Sequence, residues 1–237
     1  MELKLDLHIH SARSHDGCMA LPEIIAAAKA KGLSGVAICD HDRLLPPQKV
    51  SDDFIVIRGE EFSTEYGHLL GLFLTEEIEP GSFSELVGAI HRQGGLAVLA
   101  HPFERHGDVG KIAPILPLLD GLEVWNGRAN RKRKSANAEA AALAKQRALP
   151  CFAGSDAHVA REIGNGYVAI EVETPDLLSI KAALLRKNNP VFGTNGRHYD
   201  VARSQRTKLN KTGAGLKQRL KWAAFAVKCC LEDLKKE

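Results

Sequence analysis

Two imidazoles lie two residues apart near the amino terminus, in Asp6-Leu7-His8-Ile9-His10-Ser11. Along a strand, positions i and i+2 share a face, so His8 and His10 point the same way and can chelate one cation, with Leu7 and Ile9 on the other face. The chain then turns through Ser14-His15-Asp16-Gly17, a polar loop able to return a carboxylate or a further imidazole to the same place. Similar residue types recur in Asp40-His41-Asp42, Glu60-Glu61, His68, His101-Pro102 and Asp156-Ala157-His158. Imidazole and carboxylate donors without thiolate suit Zn, Mn or Fe. Taken singly, most of these motifs also read as ordinary structure: a capped turn, a solvated acidic pair, a rigid exit from a strand. Asp156-Ala157-His158 is more telling, because a carboxylate and an imidazole at i and i+2 repeat the geometry of His8 and His10.

The elements that must position these residues alternate between short aliphatic runs and longer helical patterns, with no internal repeat. Strands are expected over residues 4–9, 35–39, 54–58, 69–74, 96–100, 122–125, 151–153 and 167–172, and helices over 22–31, 82–93, 109–119, 135–147 and 175–187. Repeated strand-then-helix units predict an α/β barrel or an open parallel sheet. Nearly every metal-type residue then follows the carboxyl end of a strand, where barrels place their chemistry. His68 precedes its strand instead, and an antiparallel hairpin of residues 54–62 and 68–74 would bring it beside Glu61.

The chain of 237 residues, 44% hydrophobic and 26% charged, suits one main globular domain. No apolar run is long enough to span a bilayer and the amino terminus has no signal-like core, so a cytoplasmic location and no membrane partner are expected. The five cysteines, odd in number and without paired spacing, read as reduced structural thiols. The formal charge of +3 is uneven: residues 203–237 hold ten basic and three acidic side chains, a net +7, which leaves the first 202 residues at −4. A mildly acidic body fits a cation site, and the basic tail is a separate electrostatic object. Residues 194–215 are polar, basic and marked by glycines, predicting a loop or linker. From residue 216 a helix sets Leu216, Leu220, Ala223, Val227, Leu231 and Leu234 along one stripe, widened by Trp222 and Phe225. Such a stripe packs on its own domain, on a partner helix or on an anionic surface.

The ordered set Asp6-Leu7-His8-Ile9-His10-Ser11, Cys39-Asp40-His41-Asp42, Gly59-Glu60-Glu61, His68-Leu69-Leu70-Gly71, His101-Pro102 and Gly154-Ser155-Asp156-Ala157-His158 resembles the PHP family, named for polymerase and histidinol phosphatase. The resemblance, which runs from residue 5 to about residue 172, implies a distorted (β/α)7 TIM-like barrel, placed here over residues 1–193; the 194–215 linker and the basic amphipathic helix over 216–237 follow from the composition and spacing described above. The resemblance also implies two to three divalent metal ions (Zn, Mn or Fe) and hydrolysis of phosphate esters. Carried over residue by residue, His8, His10, Glu61 and Asp156 hold the first metal and form the catalytic set. Glu61 bridges to a second metal held by His68 and His101, and Asp16, His41 and His158 hold a third. His15 competes with Asp16 for its place, and Glu60 with Glu61. The implied reaction is attack on phosphorus by a hydroxide held between two ions. Arg13, Arg128 and Arg161 are candidate phosphate clamps, His106 and His198 candidate proton donors, and His91 a structural residue. The expected substrate is a small phosphorylated metabolite or nucleotide. A nuclease drawing phosphate contacts from the basic tail, and a metal-binding module without turnover, are the alternatives.

Overall fold

Short aliphatic runs, continuous in β2 and β5, drive the central strands, and a computed structural model, which describes residues 1–48 and 53–235, assembles them into one nine-stranded sheet. The strands are β1 (Glu2–Ile9), β2 (Gly35–His41), β3 (Ile55–Thr64), β4 (Gly67–Leu72), β5 (Leu96–Ala100), β6 (Gly121–Asn126), β7 (Cys151–Gly154), β8 (Gly166–Glu171) and β9 (Val191–Gly193). Their spatial order is β7-β6-β5-β4-β3-β2-β1-β8-β9. The pairs β1–β2, β2–β3, β5–β6 and β6–β7 are parallel, as the strand-then-helix pattern requires. The β3–β4 hairpin adds an antiparallel strand in the middle, so that His68 pairs across with Ser63, one position beyond the Phe62 that follows Glu61.

Closure comes from the chain just after β7, which reaches β1. Asp156 N donates to His8 O at 2.8 Å, His10 N donates to Ala157 O at 2.8 Å, and Ile9 bridges Ala157 in parallel. Gly154 permits the approach: a Cβ there would fall 2.2 Å from the His8 Cβ and 2.8 Å from His8 N. The result is a mixed α/β, nearly closed barrel, the distorted TIM-like form expected from the sequence, with the hairpin and the β8–β9 edge accounting for the extra strands.

One face of this sheet is apolar below and metal-binding in character above. Ala37 and Cys39 lead to His41 on β2, Ile57 leads through Gly59 to Glu61 on β3, and Leu72 and Leu70 lead back to His68 on β4, each at a spacing of two. Strand β1 departs from strict alternation. Its register with β2 shifts between Asp6 and Ile9, Leu3, Leu5 and Leu7 join the cluster of Ala37, Ile57 and Leu70, and Ile9 joins a different cluster with Met19 and Ile24. Leu7 and Ile9 therefore do not share one apolar environment, because the irregularity falls between them.

Helices α1 (Leu21–Ala30), α2 (Phe83–Arg92), α4 (Ala136–Arg147) and α5 (Leu177–Leu184) cover the sheet. In α2 the Ser82 N–H donates to Glu85 Oε2 at 2.8 Å and Phe83, Leu86, Val87 and Ile90 are buried, a capping box followed by an amphipathic face. The helix expected over 109–119 is shorter: α3 spans Val109–Ile112 and a separate 3₁₀ turn Leu116–Leu118, with Pro114 and Pro117 removing the donors a continuous helix needs.

The carboxyl region differs most from expectation. Residues 194–215 are not simply a linker: His198–Lys211 form helix α6, which Gly213 (φ +65°) ends before α7 (Leu216–Leu234) begins. The buried side of α6 consists of His198, Asp200, Val201, Ala202 and Ser204, too polar to register as an apolar stripe. Its first N–H groups are capped from the far end of α7, where Asp233 accepts from His198 N at 2.8 Å and Tyr199 N at 3.0 Å. On α7 the buried side is Ala226 and Cys229 flanked by Trp222 and Phe225, whereas Leu216, Leu220, Val227, Leu231 and Leu234 are exposed. The leucine stripe thus faces away from the chain's own domain. Among the described residues no helix is long and apolar enough to cross a membrane.

Candidate metal centre

Strand ends and the loops after them bring nine side chains to one end of the barrel. Three groups each set their ligand atoms within 4.8 Å of one another: His8, His10 and Asp156; Glu61, His68 and His101; and His10, Asp16, His41 and His158. The nine side chains expected as metal ligands all converge, with His10 contributing to two groups. Glu61 sits among five imidazoles, with oxygens 2.7 Å from His68 Nδ1, 3.1 Å from His41 Nδ1, 3.2 Å from His101 Nε2, 3.3 Å from His10 Nε2 and 3.5 Å from His8 Nε2. Asp156 lies 3.4 Å from His10 Nε2 and 3.5 Å from His158 Nδ1, and Asp16 lies 3.2 Å from His158 Nε2.

The electrostatics favour ionised carboxylates. Burial opposes ionisation of Glu61, but the charges of His68, His41 and His8 outweigh it and hold the carboxyl well below its usual range. Burial likewise opposes ionisation of Asp156 and Asp16, and neighbouring imidazoles, His8 and His10 for the first and His158 for the second, hold both down. Burial also lowers His10, helped by the charge of His158, while the carboxylates around His8 raise it against burial and His101 is pushed up to about 9.

Three observations fit divalent cations. His8 Nε2 and His10 Nε2 face each other at 3.2 Å, and His10 Nδ1 is buried with no hydrogen-bond partner. Ligand atoms around a cation at about 2.0–2.2 Å stand roughly 3–4 Å apart, which is the spacing found here. The backbone is left-handed at His101 (φ 30°) and Asp156 (φ 55°), a conformation that costs about 1–3 kcal/mol in a residue with a side chain and clusters at functional positions.

A second layer of buried carboxylates orients the first. Glu123 Oε1 accepts from His8 Nδ1 at 2.9 Å, fixing the tautomer that leaves Nε2 as the donor atom, and its Oε2 accepts from His101 N at 2.8 Å and Asn126 Nδ2 at 3.0 Å. Asp6 accepts from Ser155 N and Gly164 N, both at 2.8 Å, and burial pushes it up to about 6. Asp40 accepts from the Ser11 N–H and hydroxyl at 2.6 Å each, holding the loop that carries Asp16. Sequence reasoning assigned none of these three a place in the site. Asp6 and Glu123 did leave a signal, as carboxylates inside short runs expected to be strands.

His15 does not join any donor group; it is part-exposed, stacked on His41 at 4.7 Å between ring centroids. Glu60 faces away from Glu61, as adjacent strand residues must, and is buried with neither oxygen in a full hydrogen bond. Burial, only partly offset by the Ile78 backbone and reinforced by the Glu77 charge, pushes Glu60 up to about 8. A raised folded value means stability that is complete below 4.5 and lost as the pH rises through about 8. Chemical denaturation of the wild type and Glu60→Gln across this window should show the wild type losing on the order of 3 kcal/mol more than the variant. Parallel curves would refute the assignment.

The three arginine candidates are dispersed. Arg13 and Arg161 are exposed outside the cavity over the centre. Arg128 reaches its wall, but Nε and Nη2 donate to Glu162 at 2.7 and 2.6 Å, and Glu162 in turn accepts from His158 N at 3.0 Å. Arg128 therefore braces the His158 loop instead of presenting a free fork. His106 lies outside the cavity, His198 is buried against Glu232 at 2.7 Å, and His91 bonds Asp120 at 2.8 Å. The cavity itself measures about 700 Å³ and is also lined by Arg105, Arg131 and Lys132 and by Lys208 and Lys221 of the basic tail, none of which the sequence had assigned individually to the site.

Comparison with known proteins gives a consistent picture. The PHP domain family model matches residues 6–145, and a PHP-associated model matches residues 134–189. The uncharacterized protein MJ0417 of Methanocaldococcus jannaschii is 34% identical over 194 residues, covering 77% of this chain and 78% of that protein. Among solved structures, a two-domain protein from Bacteroides vulgatus containing a predicted PHP-like metal-dependent phosphoesterase aligns with a TM-score of 0.64 at 19% identity, over 89% of this chain and 70% of the other. The lesion-specific endonuclease PfuEndoQ of Pyrococcus furiosus aligns with a TM-score of 0.55 at 19% identity, over 84% of this chain and 60% of its own. At these identities the two structures share the fold.

Proposed function

Because the chain belongs to the PHP domain family, we propose that it is a metal-dependent phosphoesterase hydrolysing a phosphate monoester or nucleotide-type ester of a small molecule. The observation that carries this reading is the convergence of three imidazole–carboxylate groups at the floor of one cavity of about 700 Å³, a volume suited to a small ligand. In this reading His8, His10, Glu61 and Asp156 would hold the first of two to three ions (Zn, Mn or Fe), Glu61 would also serve a second with His68 and His101, and Asp16, His41 and His158 would hold a third. Divalent ions at such a site acidify water and neutralise phosphoryl oxygens.

The chain's own residues do the rest. Glu123 keeps the His8 proton on Nδ1, the Asp40–Ser11 pair fixes the approach of Asp16, and the Arg128–Glu162 pair fixes that of His158. Such preorganised groups need no rearrangement as charge develops on the departing oxygen. Cations at the cavity mouth also favour a nuclease reading, and the fold likeness to PfuEndoQ keeps it in view. The walls supplied by α6 and α7 favour the small ester.

The deciding experiment combines metal analysis of the native protein with phosphate release from sugar, amino-alcohol and nucleotide esters and with cleavage of labelled oligonucleotides. Two to three ions per chain and turnover of a small ester, abolished in Asp156→Ala, are expected. Oligonucleotide cleavage in preference to every small ester would replace this reading with the nuclease, and metal without turnover of any kind would leave a binding module.

A further inference from the structure

Residues beyond 189 lie outside both family models, yet α6 and α7 build one wall of the cavity. The hairpin they form is anchored at the metal end of the barrel. Lys211 Nζ donates to the carbonyl oxygens of Ala12, Ser14 and Gly17 at 2.7 Å each, tying α6 to the loop that carries Asp16. Lys208 Nζ donates to His15 Nε2 at 2.9 Å, and Arg128 Nη1 to Ser204 Oγ at 3.3 Å. These attachments set the hairpin in a fixed place over the site.

What the wall displays is unlike the floor. Lys132, on the rim, is neutralised by Glu104 at 2.8 Å. Arg131, Lys208 and Lys221 also line the cavity, and among the described residues none has a carboxylate partner; the one contact of Lys208 is an imidazole, and Arg131 lies 5.9 Å from the Phe225 ring centroid. Trp222 and Phe225 line the same wall, the indole held by its N–H to Ala202 O at 2.7 Å and covered by Arg206 at 5.6 Å. Three uncompensated cations beside two fixed aromatic rings, facing a floor already equipped for one phosphate, mark a place for a second negative charge on a carbon skeleton.

We propose that the α6–α7 hairpin is the subsite for the leaving alcohol, with Arg131, Lys208 and Lys221 binding a second anionic group on it and Trp222 and Phe225 covering its carbon frame. The proposal rests on the phosphoesterase reading above. A carboxylate and a second phosphate share the required chemistry, and the cavity volume of about 700 Å³ accommodates either.

The test uses the full-length, metal-loaded protein and two matched pairs: glycerol 2-phosphate against 2-phosphoglycerate, and fructose 6-phosphate against fructose 1,6-bisphosphate. The member with the second anion should show a kcat/KM at least about tenfold higher, carried by KM and shrinking as salt is added, since these cations are exposed enough to be screened. An advantage in the first pair alone identifies a carboxylate, and in the second alone a phosphate. In the doubly substituted Lys208→Gln/Lys221→Gln protein the ratio within the favoured pair should fall below about threefold. Equal kcat/KM within both pairs, or a preference that survives the double substitution, overturns the subsite while leaving the phosphoesterase reading intact. Turnover of other esters but of none of these four overturns the subsite alone, whereas failure to release phosphate from these four and from every sugar, amino-alcohol and nucleotide ester overturns the parent reading, and the subsite with it.

Discussion

Glu61→Gln is expected to lower turnover of any accepted ester on the order of 10³-fold or more and to lower the bound metal by at least one ion per chain. The side chain is buried, and its two oxygens approach five imidazole nitrogens at 2.7 to 3.5 Å. Glutamine keeps the volume but withdraws the charge and turns one acceptor into a donor, which then faces nitrogens that must present lone pairs. Among the described residues no other carboxylate lies within reach of the ring nitrogens of both the His68–His101 pair and the His8–His10 pair, so none of them substitutes for it. Glu123→Gln makes a graded comparison. It removes no proposed ligand, but one oxygen and one amide must serve His8 Nδ1, His101 N and Asn126 Nδ2, and loss of such support typically costs about 10–100-fold. Metal analysis, circular dichroism and kcat/KM on the three proteins check the series. Wild-type activity in Glu61→Gln would sink the assignment of the shared ligand, and equal losses in both variants would sink the distinction between ligand and support.

The residues that were legible in the sequence share a physical cause. His8, His10, His41, His101 and Asp156 stand at or just past strand ends and Glu61 three residues before the end of β3, where period-two burial and the strand-then-helix rhythm predict both face and barrel end. His68 was legible only through the hairpin, which reverses β4 and turns an apparent misfit into a neighbour of Glu61. The supporting carboxylates were less so, because the partners of Asp6 and Glu123 are set by closure: Asp6 meets Ser155, 149 residues away, only once the chain after β7 has reached β1, while Asp40 meets Ser11 through the turn that follows the neighbouring strand β1. The hairpin wall was hidden for a different reason. The buried side of α6 is small and polar, and α7 buries Ala226 and Cys229 while leaving its leucines in water, so an argument from apolar stripes points to the wrong face. The cations that line the cavity belong to those same helices and to the loops after β5 and β6, where spacing carries no information about direction.

Removal of metal should destabilise the protein, and increasingly so as the pH is raised. Without ions, His8 and His101 are raised by the carboxylates around them, His101 to about 9, and each protonated imidazole then partly neutralises Glu61 and Glu123. For a histidine whose folded value is raised, that stabilisation is complete below about 6.5 and disappears as the pH climbs through the folded value. The metal-free protein should therefore lose stability between 6.5 and about 9, the window set by His101. Ion binding acts in the opposite sense, because ligands must shed protons to bind and affinity grows with pH. At free metal of a thousand times Kd each site adds about 4 kcal/mol, which in a domain of this size moves Tm on the order of 10 °C. Thermal unfolding of chelator-stripped and metal-loaded protein at pH 6, 7.5 and 9 should show a gap that widens with pH, and calorimetric titration in buffers of different ionisation heat should record proton release on binding. A gap that narrows toward pH 9, or binding without proton release, would mean that these imidazoles are not where the ions are held.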